Sequence, residues 1–561
     1  YINETDIGWR PRVDAWVQNL DYKDDVKVLL ERLVDKYMET IKGNLGKDVK
    51  NIIPLRILAQ AGTVCSIMSG IFDAGVNPED LTEVQLESYF VFACTWAYGG
   101  GVEDNDQKKR FHEVWTSSYQ DIKYPSEGEC FDYFYSHETN EWGLWQTKLE
   151  EYEHPGMIGE ELEFFDITVS TVDSTRLSYI MDLLVNQQQP IMFVGGAGTG
   201  KTSTIQNYLH HGADEKYLTC NINMNYYTDS KILQTQMENP IDKRSGRRYG
   251  PPTGKKLIYF VDDINLPYIE EYGTQNALSL LRQHFDYESF YDREDLGLKK
   301  EVVDVQYVSA MNPTAGSFTI TERLQRHFST FTCTMPSRSD LNMIYNSVFY
   351  GHLEMGGFDN VIRDICASIT EAALSLHEQV VIKFLPSAVK FVYNWNMREL
   401  DNVFIGMTTM KPEQYDSESQ VLQLFAHECK RVFYDRLVND IDMEKFDTIL
   451  KDVCNKSFGE IKKYKADEVF TDPLIFTNFM ELAGGLPIYV AVDEYDKLKD
   501  TLDAKLAEYN ESNTIMELVL FNDAMKHIAR ISRIISKPRG NALLIGVGGS
   551  GKQSLSRLAA Y

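Results

Sequence analysis

Two glycine-rich loops of one design lie 351 residues apart in this chain, at Gly195 and at Gly546, and no other feature restricts its fold as much. The first reads Gly195-Gly196-Ala197-Gly198-Thr199-Gly200-Lys201-Thr202 and meets every position of G-x-x-x-x-G-K-[ST]. Glycines let the backbone curl until several N–H groups converge on an anion, and a helix starting there turns its positive dipole end to the same point. The second reads Gly546-Val547-Gly548-Gly549-Ser550-Gly551-Lys552-Gln553-Ser554 and keeps the framing glycines and the lysine. Each loop follows a strand-like apolar run, Ile191–Val194 or Ala542–Ile545, and precedes a helix-like stretch. Solenoid repeats are only ~20–50 residues long, so this period implies tandem copies of a whole domain. The second copy has barely begun at Tyr561, and the first residues, Tyr1-Ile2-Asn3-Glu4, have neither a Met nor an export signal. The chain is therefore expected to be a cut from a longer one. A fainter echo pairs Phe90–Trp96 with Phe391–Trp395.

Between the loops, strand-like runs alternate with helical stretches. Leu257–Val261 is unbroken and ends on Asp262-Asp263; Val302–Ala310 is interrupted by Asp304 and Gln306 and ends on Met311-Asn312-Pro313. That alternation predicts an α/β fold whose parallel sheet is covered on both faces. From about Asp340 to Lys465, and again over 1–150, apolar residues fall at helical spacing. A chain of 561 residues exceeds one core, since cores stop growing near ~250–300 residues. Four parts are expected: 1–150, mainly helical; 151–338, a large subdomain with the first loop; 339–470, a small helical subdomain; and 471–561, the start of another copy.

The loop types prescribe chemistry. Gly195, Gly196, Ala197, Gly198, Thr199, Gly200, Lys201, Thr202 and Ser203 are the expected contacts of a nucleotide, ATP or ADP. Lys201 would reach the β- and γ-phosphates, while Thr202 and Asp262 would hold Mg²⁺. Asp263 follows at the position that usually orients the attacking water, and Asn312 is a polar sensor for the γ-phosphate. On their own residues, the acidic pair also reads as a capped strand end and Asn312 as a turn former before Pro313. In the second loop, Gly546, Val547, Gly548, Gly549, Ser550, Gly551, Lys552, Gln553 and Ser554 would contact nucleotide. Gln553 replaces the hydroxyl that should meet the metal, which disfavours turnover there.

A net charge of −27, spread along the chain, argues against nucleic acid or an anionic membrane as partner. No apolar run approaches the ~20 residues of a membrane span. Eight cysteines without a CxxC pair predict reduced thiols in a cytoplasmic compartment. His427-Glu428 opens an H-E-x-x-H-like string but has Arg431 where the second histidine should stand, and reads as the polar face of a helix. His112-Glu113 fails likewise at Thr116. Lys243-Arg244 and Arg247-Arg248 read as a solvated loop.

Taken together, Val194–Thr202, Tyr249-Gly250-Pro251-Pro252, Phe260–Pro267, Ala310–Pro313, Arg323–Phe328 and His427–Leu437 resemble the third AAA+ module of dynein heavy chains. Pro538–Leu555 resembles the start of the fourth, and residues 1–150 would be the end of the second. The Asp-Asp strand end and the Gly-Ser-Gly-Lys-Gln-Ser loop are more like axonemal than cytoplasmic dyneins. The resemblance implies tandem modules in a motor ring of cilia and flagella, with Gly195–Thr202 a regulatory ATP/ADP site. It implies Arg326 as a finger reaching the nucleotide of module two and Arg398 as a second sensor, with Gly99 at the equivalent spot of module two. Where AAA+ ATPases usually carry Glu, Asp263 is one methylene shorter, which implies slow hydrolysis. Implied partners are the remaining modules of the heavy chain, dynein intermediate and light chains, and microtubules through a stalk lying elsewhere. A non-hydrolysing nucleotide scaffold, and a segment of another giant tandem AAA+ ATPase, are the alternatives.

Overall fold

The computed structural model describes residues 8–561 except 120, 123, 126, 160, 161, 214, 315–319, 462, 463, 484 and 485; the side chains of 39–48 and 481–487 are likewise not described. The reading of Tyr1–Glu4 lies outside the described residues. The chain divides into two compact units, Tyr1–Glu151 with Ser170–Pro336, and Tyr152–Val169 with Ser337–Tyr561.

The first unit is organised by a five-stranded sheet, ordered β11-β3-β10-β7-β4, in which every pair is parallel. Its strands are β3 (Ile191–Val194), β4 (Tyr217–Asn223), β7 (Lys256–Asp262), β10 (Val305–Met311) and β11 (Ser329–Thr332). Alternate residues feed opposite cores. Ile191, Phe193, Ile258, Phe260, Val308, Ala310 and Phe331 enter one cluster; Met192, Val194, Leu257, Tyr259, Val261, Tyr307 and Met311 enter the other. A sheet apolar on both sides needs helices on both sides, as the unbroken runs predict. The first face is covered by α3 (Ile57–Asp73), α4 (Glu83–Gly99) and α6 (Val172–Asn186); α8 (Ser230–Glu238) and α9 (Asn276–Tyr287) cover the second. The helices α1 (Arg10–Asn19), α2 (Asp24–Asp48) and α5 (Asn105–Ser118), with the hairpin β1 (Tyr133–Tyr135) and β2 (Trp142–Leu144), complete the first cover. The N-terminal helices thus pack on α6 and on the sheet edge: a Cβ on Gly70 would sit 2.6 Å from the Leu183 carbonyl oxygen of α6, and Thr332 N–H of β11 donates to Gly100 O at 2.7 Å.

Three readings need correction here. The run Val302–Ala310 is two strands, because Asp304 turns through the left-handed region (φ +59°), which Asp tolerates. Its first part does not enter the parallel sheet: β9 (Lys299–Val302) joins β5 (Asp242–Ser245), β6 (Arg248–Gly250) and β8 (Ser289–Tyr291) in a second sheet. Lys243–Arg248 is accordingly a hairpin, where Arg244 donates to the Pro251 carbonyl at 2.8 and 3.0 Å and pairs with Asp304. The echo of Phe90–Trp96 in Phe391–Trp395 is not structural, since the first lies inside α4 and the second precedes a helix. Gly99 ends α4 packed against Phe131 and Phe111.

The second unit is mostly helical. It contains α11 (Arg338–Met355), α12 (Asn360–Asp364), α13 (Cys366–Lys383), α14 (Met397–Met407), α15 (Glu418–Val432), α16 (Asp440–Phe458) and α17 (Ala466–Val469), preceded in chain order by α7 (Lys201–Asn207) and α10 (Glu322–Gln325) of the first unit. A hairpin, β12 (Phe476–Ala483) with β13 (Leu486–Ala491), leads to α18 (Tyr495–Ser512), α19 (Asn522–Ile535) and α20 (Lys552–Ala560). Ala542–Ile545 forms no strand. Leu543 and Ile545 are exposed.

Glu428 corrects the polar-face reading of α15. It is fully buried and takes Arg533 Nε at 3.0 Å, Lys537 Nζ at 3.1 Å and the Tyr489 hydroxyl at 2.8 Å. Burial alone would raise its pKa, but the charges of Arg533 and Lys537 outweigh it and hold the carboxyl below the usual range. The cluster joins α15 to α19 and β13. Removing one partner of a buried pair costs about 3–5 kcal/mol because the other charge is left uncompensated. With Lys537 still in place, Arg533→Leu should destabilise this unit by about 3 kcal/mol. Urea denaturation with hydrogen exchange read over α15 and α19 checks it.

Candidate nucleotide site

The first loop leaves the sheet between the ends of β10 and β11. Gly195 N–H donates to Met311 O at 3.1 Å, and Cys333 N–H donates to Val194 O at 2.8 Å. A Cβ on Gly195 would stand 2.3 Å from the Cys333 carbonyl oxygen, so the position admits no side chain without moving backbone. Gly198 and Gly200 have φ of +76° and +78°, the left-handed conformation that glycine adopts without strain, and Gly200 caps α7. Lys201, 8% exposed, folds back over the loop: Nζ donates to the carbonyls of Gly195 (2.8 Å) and Gly196 (2.7 Å) and to Thr199 Oγ1 (3.3 Å). Phosphate oxygens could exchange with those carbonyls for the same ammonium donors. Ser203 lies one residue beyond Thr202, on the exposed side of α7.

The acidic half comes from β7. Thr202, at the start of α7, donates its hydroxyl to Asp262 Oδ2 at 2.9 Å, closing a gap of 60 residues. Asp262 Oδ1 accepts the N–H of Asp263 at 2.9 Å, and Asp263 takes φ +53°. A hydroxyl beside a carboxylate is a hard-oxygen pair of the kind Mg²⁺ uses when phosphates and waters supply its other ligands. The described residues contain no cluster of three or more His, Cys, Asp or Glu for an all-protein metal cage. Asn312 follows the last residue of β10, and its Oδ1 accepts from the backbone N–H (3.1 Å) and hydroxyl (2.8 Å) of Thr314. Thus Lys201, Thr202, Asp262, Asp263 and Asn312 all lie at the carboxyl ends of β3, β7 and β10, the edge where open α/β sheets bind ligands.

Of the two arginines, Arg326 lies in the first unit and Arg398 in the second. Arg326, half exposed after α10, pairs with Asp286 at 2.8 Å beside His327. Burial would raise the Asp286 pKa, and Arg326 outweighs it and holds the carboxyl low. Arg398 belongs to the second unit, exposed in the first turn of α14, whose N-cap Asn396 accepts the Arg398 N–H at 2.9 Å. One turn on, burial pushes the Asp401 carboxyl up to about 6, with the Tyr345 hydroxyl donating to it at 2.8 Å.

The second loop repeats the first in detail. Gly549 and Gly551 have φ of +78° and +77°, and Lys552 Nζ donates to Gly546 O (2.5 Å), Val547 O (2.8 Å) and Ser550 Oγ (3.3 Å). Gln553 is exposed and Ser554 partly so; Gln553 borders a cleft of about 420 Å³ with Leu544, Lys552, Ser556 and Arg557. Sequence reasoning passed over Asn265 and Gln275. Both are buried amides flanking the acidic turn, and no rule of chemistry or spacing marks them.

A parallel sheet ordered β11-β3-β10-β7-β4, with a glycine-rich P-loop after β3, an acidic pair after β7 and an asparagine after β10, defines a P-loop nucleotide-binding module of the AAA+ class. Residues 157–336 match the family model "P-loop containing dynein motor region", 27–147 the "Dynein heavy chain AAA lid domain", 369–469 the "AAA+ lid domain" and 516–561 the "P-loop containing dynein motor region D4". The whole chain is 40% identical to the dynein beta chain of the flagellar outer arm of Chlamydomonas reinhardtii. It is likewise 39% identical to the ciliary dynein beta chain of Tripneustes gratilla and 40% identical to dynein axonemal heavy chain 9 of Homo sapiens. The chain belongs to the dynein heavy-chain family, as a segment of axonemal type, and spans 12% of the length of these relatives.

Lys201→Ala should weaken ATP or ADP binding at this loop at least tenfold, and Thr202→Ala should remove the Mg²⁺ dependence of what remains; titration with a fluorescent nucleotide, with and without Mg²⁺, checks both. Folding raises the pKa of Asp401, so its stabilising contribution is complete below the ordinary aspartate range and is lost as pH climbs through about 6. Asp401→Asn should therefore gain about 1–2 kcal/mol at pH 7, allowing for partial exposure, and flatten the melting profile between pH 4 and 7.

Proposed function

We propose that this chain forms part of the motor ring of an axonemal dynein heavy chain, and that Gly195–Thr202 holds ATP or ADP with Mg²⁺ as a regulatory site gating microtubule motility. The observation that carries this reading is the Thr202–Asp262 contact beside a lysine held over a glycine loop, which unites the phosphate and metal halves of one site. In the full heavy chain, an ATPase, Arg326 would reach the nucleotide of the preceding module and Arg398 would sense phosphate from the small subdomain. Its partners would be the other modules, intermediate and light chains, and microtubules through the stalk, in the cytoskeleton of cilia and flagella; the relatives' names, flagellar, ciliary and axonemal, support that place. Nucleic acid and membrane have no role in this reading. The second loop would bind nucleotide with little turnover.

Asp263 favours a second reading, a nucleotide held without hydrolysis. Its carboxylate is one methylene short, and a displacement of ~1 Å can cost ~100-fold in rate. In the heavy chain, Asp263→Glu should raise ATP turnover at this loop by roughly ten- to a hundredfold if reach alone limits it. Unchanged turnover with ATP retained would favour the scaffold instead. Quenched-flow analysis of the bound nucleotide checks it.

A further inference from the structure

We propose that Asn265 is a positioning residue, which ties the acidic turn after β7 to the sensor at the end of β10; this rests on the nucleotide-site reading above. Asn265 is fully buried, and its Nδ2–H donates to the backbone carbonyl of Asn312 at 2.9 Å. Between the same two strands, Ile264 N–H donates to Ala310 O at 3.1 Å, so the turn is stitched to β10 twice in succession. Its far end is held as well: the buried Gln275 donates from Nε2 to Pro267 O at 3.0 Å. Leu266 N–H closes on Asp263 O at 3.0 Å, fixing the left-handed Asp263 inside the turn.

A continuous path results, from the Thr202 hydroxyl to Asp262, through the Asp263 N–H to the turn, and across Asn265 to Asn312. Such an arrangement makes the position of the Asn312 side chain depend on the position of the Asp262-Asp263 backbone. A buried amide is a costly way to fill space, since its Oδ1 has no hydrogen-bond partner among the described residues, and Leu would pack there without that penalty. The amide's service is the bond to Asn312.

The test is a double-mutant cycle in the intact heavy chain. The readout is the rate at which bound ATP becomes ADP in a single turnover, taken as the Lys201→Ala-sensitive fraction, with nucleotide affinity measured in parallel. Asn312→Ala and Asn265→Ala should each slow that step about tenfold or more with affinity changed less than threefold. Combined, they should be no slower than Asn312→Ala alone, because a positioning residue has nothing left to position. Asn265→Leu, which is close in size and has no donor, should behave as Asn265→Ala and covers the event that the Ala variant fails to fold. If the two losses multiply, or if Asn265→Leu turns over normally while Asn312→Ala does not, the proposal is overturned and the site reading stands. If Asn312→Ala is itself without effect, the sensor role falls and this proposal with it. If Lys201→Ala leaves nucleotide bound, the site reading fails.

Discussion

Everything at the site depends on β3 being enclosed between two parallel neighbours in the sheet. Its four residues are buried on both faces, and its neighbours β10 and β11 come from more than a hundred residues downstream. That pairing puts the Cys333 carbonyl against Gly195 and the Met311 carbonyl on its N–H, so the loop has one direction in which to leave the sheet. It also sets the register by which β7 and β10 finish at the same edge. Because parallel pairing is evenly spaced and the strands share a direction, their carboxyl ends collect polar groups from distant parts of the chain at one edge. Thr202 and Asp262 meet for that reason, and no local preference of either residue would bring them together.

The Asp262-Asp263 turn stores strain at that edge. A non-glycine residue at φ +53° is held in a sparsely populated region, which Asp tolerates better than a longer side chain does. The identity of Asp263 therefore has two physical consequences. It shortens the reach of the carboxylate, and it eases the left-handed backbone that the hydrogen bonds of Asp262, Leu266 and Asn265 impose. A purely chemical account of the missing methylene omits the second.

What was legible in the sequence follows from range. The strands β3 and β7 are unbroken apolar runs, and their two-sided burial is written in residue type alone. Val302–Ala310 looked like one strand because composition does not register a turn, and only the φ of Asp304 separates β9 from β10. The small sheet that β9 joins is built from two hairpins in different parts of the chain, which periodicity cannot pair. Glu428 looked like a surface residue for the same reason: Arg533 and Lys537, which neutralise it, lie 105 and 109 residues further on. Asn265 was in plain view, three residues after Asp262, yet an amide has no pattern of its own and its partner is a backbone carbonyl.

The two loops separate local from non-local causes within one chain. At Gly546–Lys552 no strand precedes the loop among the described residues, and Leu543 and Ile545 are exposed. Even so, the left-handed glycines recur at the same two positions, and the lysine folds back onto the same three oxygens at nearly the same distances. The loop and its lysine are therefore dictated by their own few residues, glycine freedom and helix start included. The acid, the strained turn and the sensor are properties of the assembled sheet. A motif of this kind specifies a cradle for phosphate wherever it occurs, whereas hydrolysis belongs to the partners that the fold delivers to it.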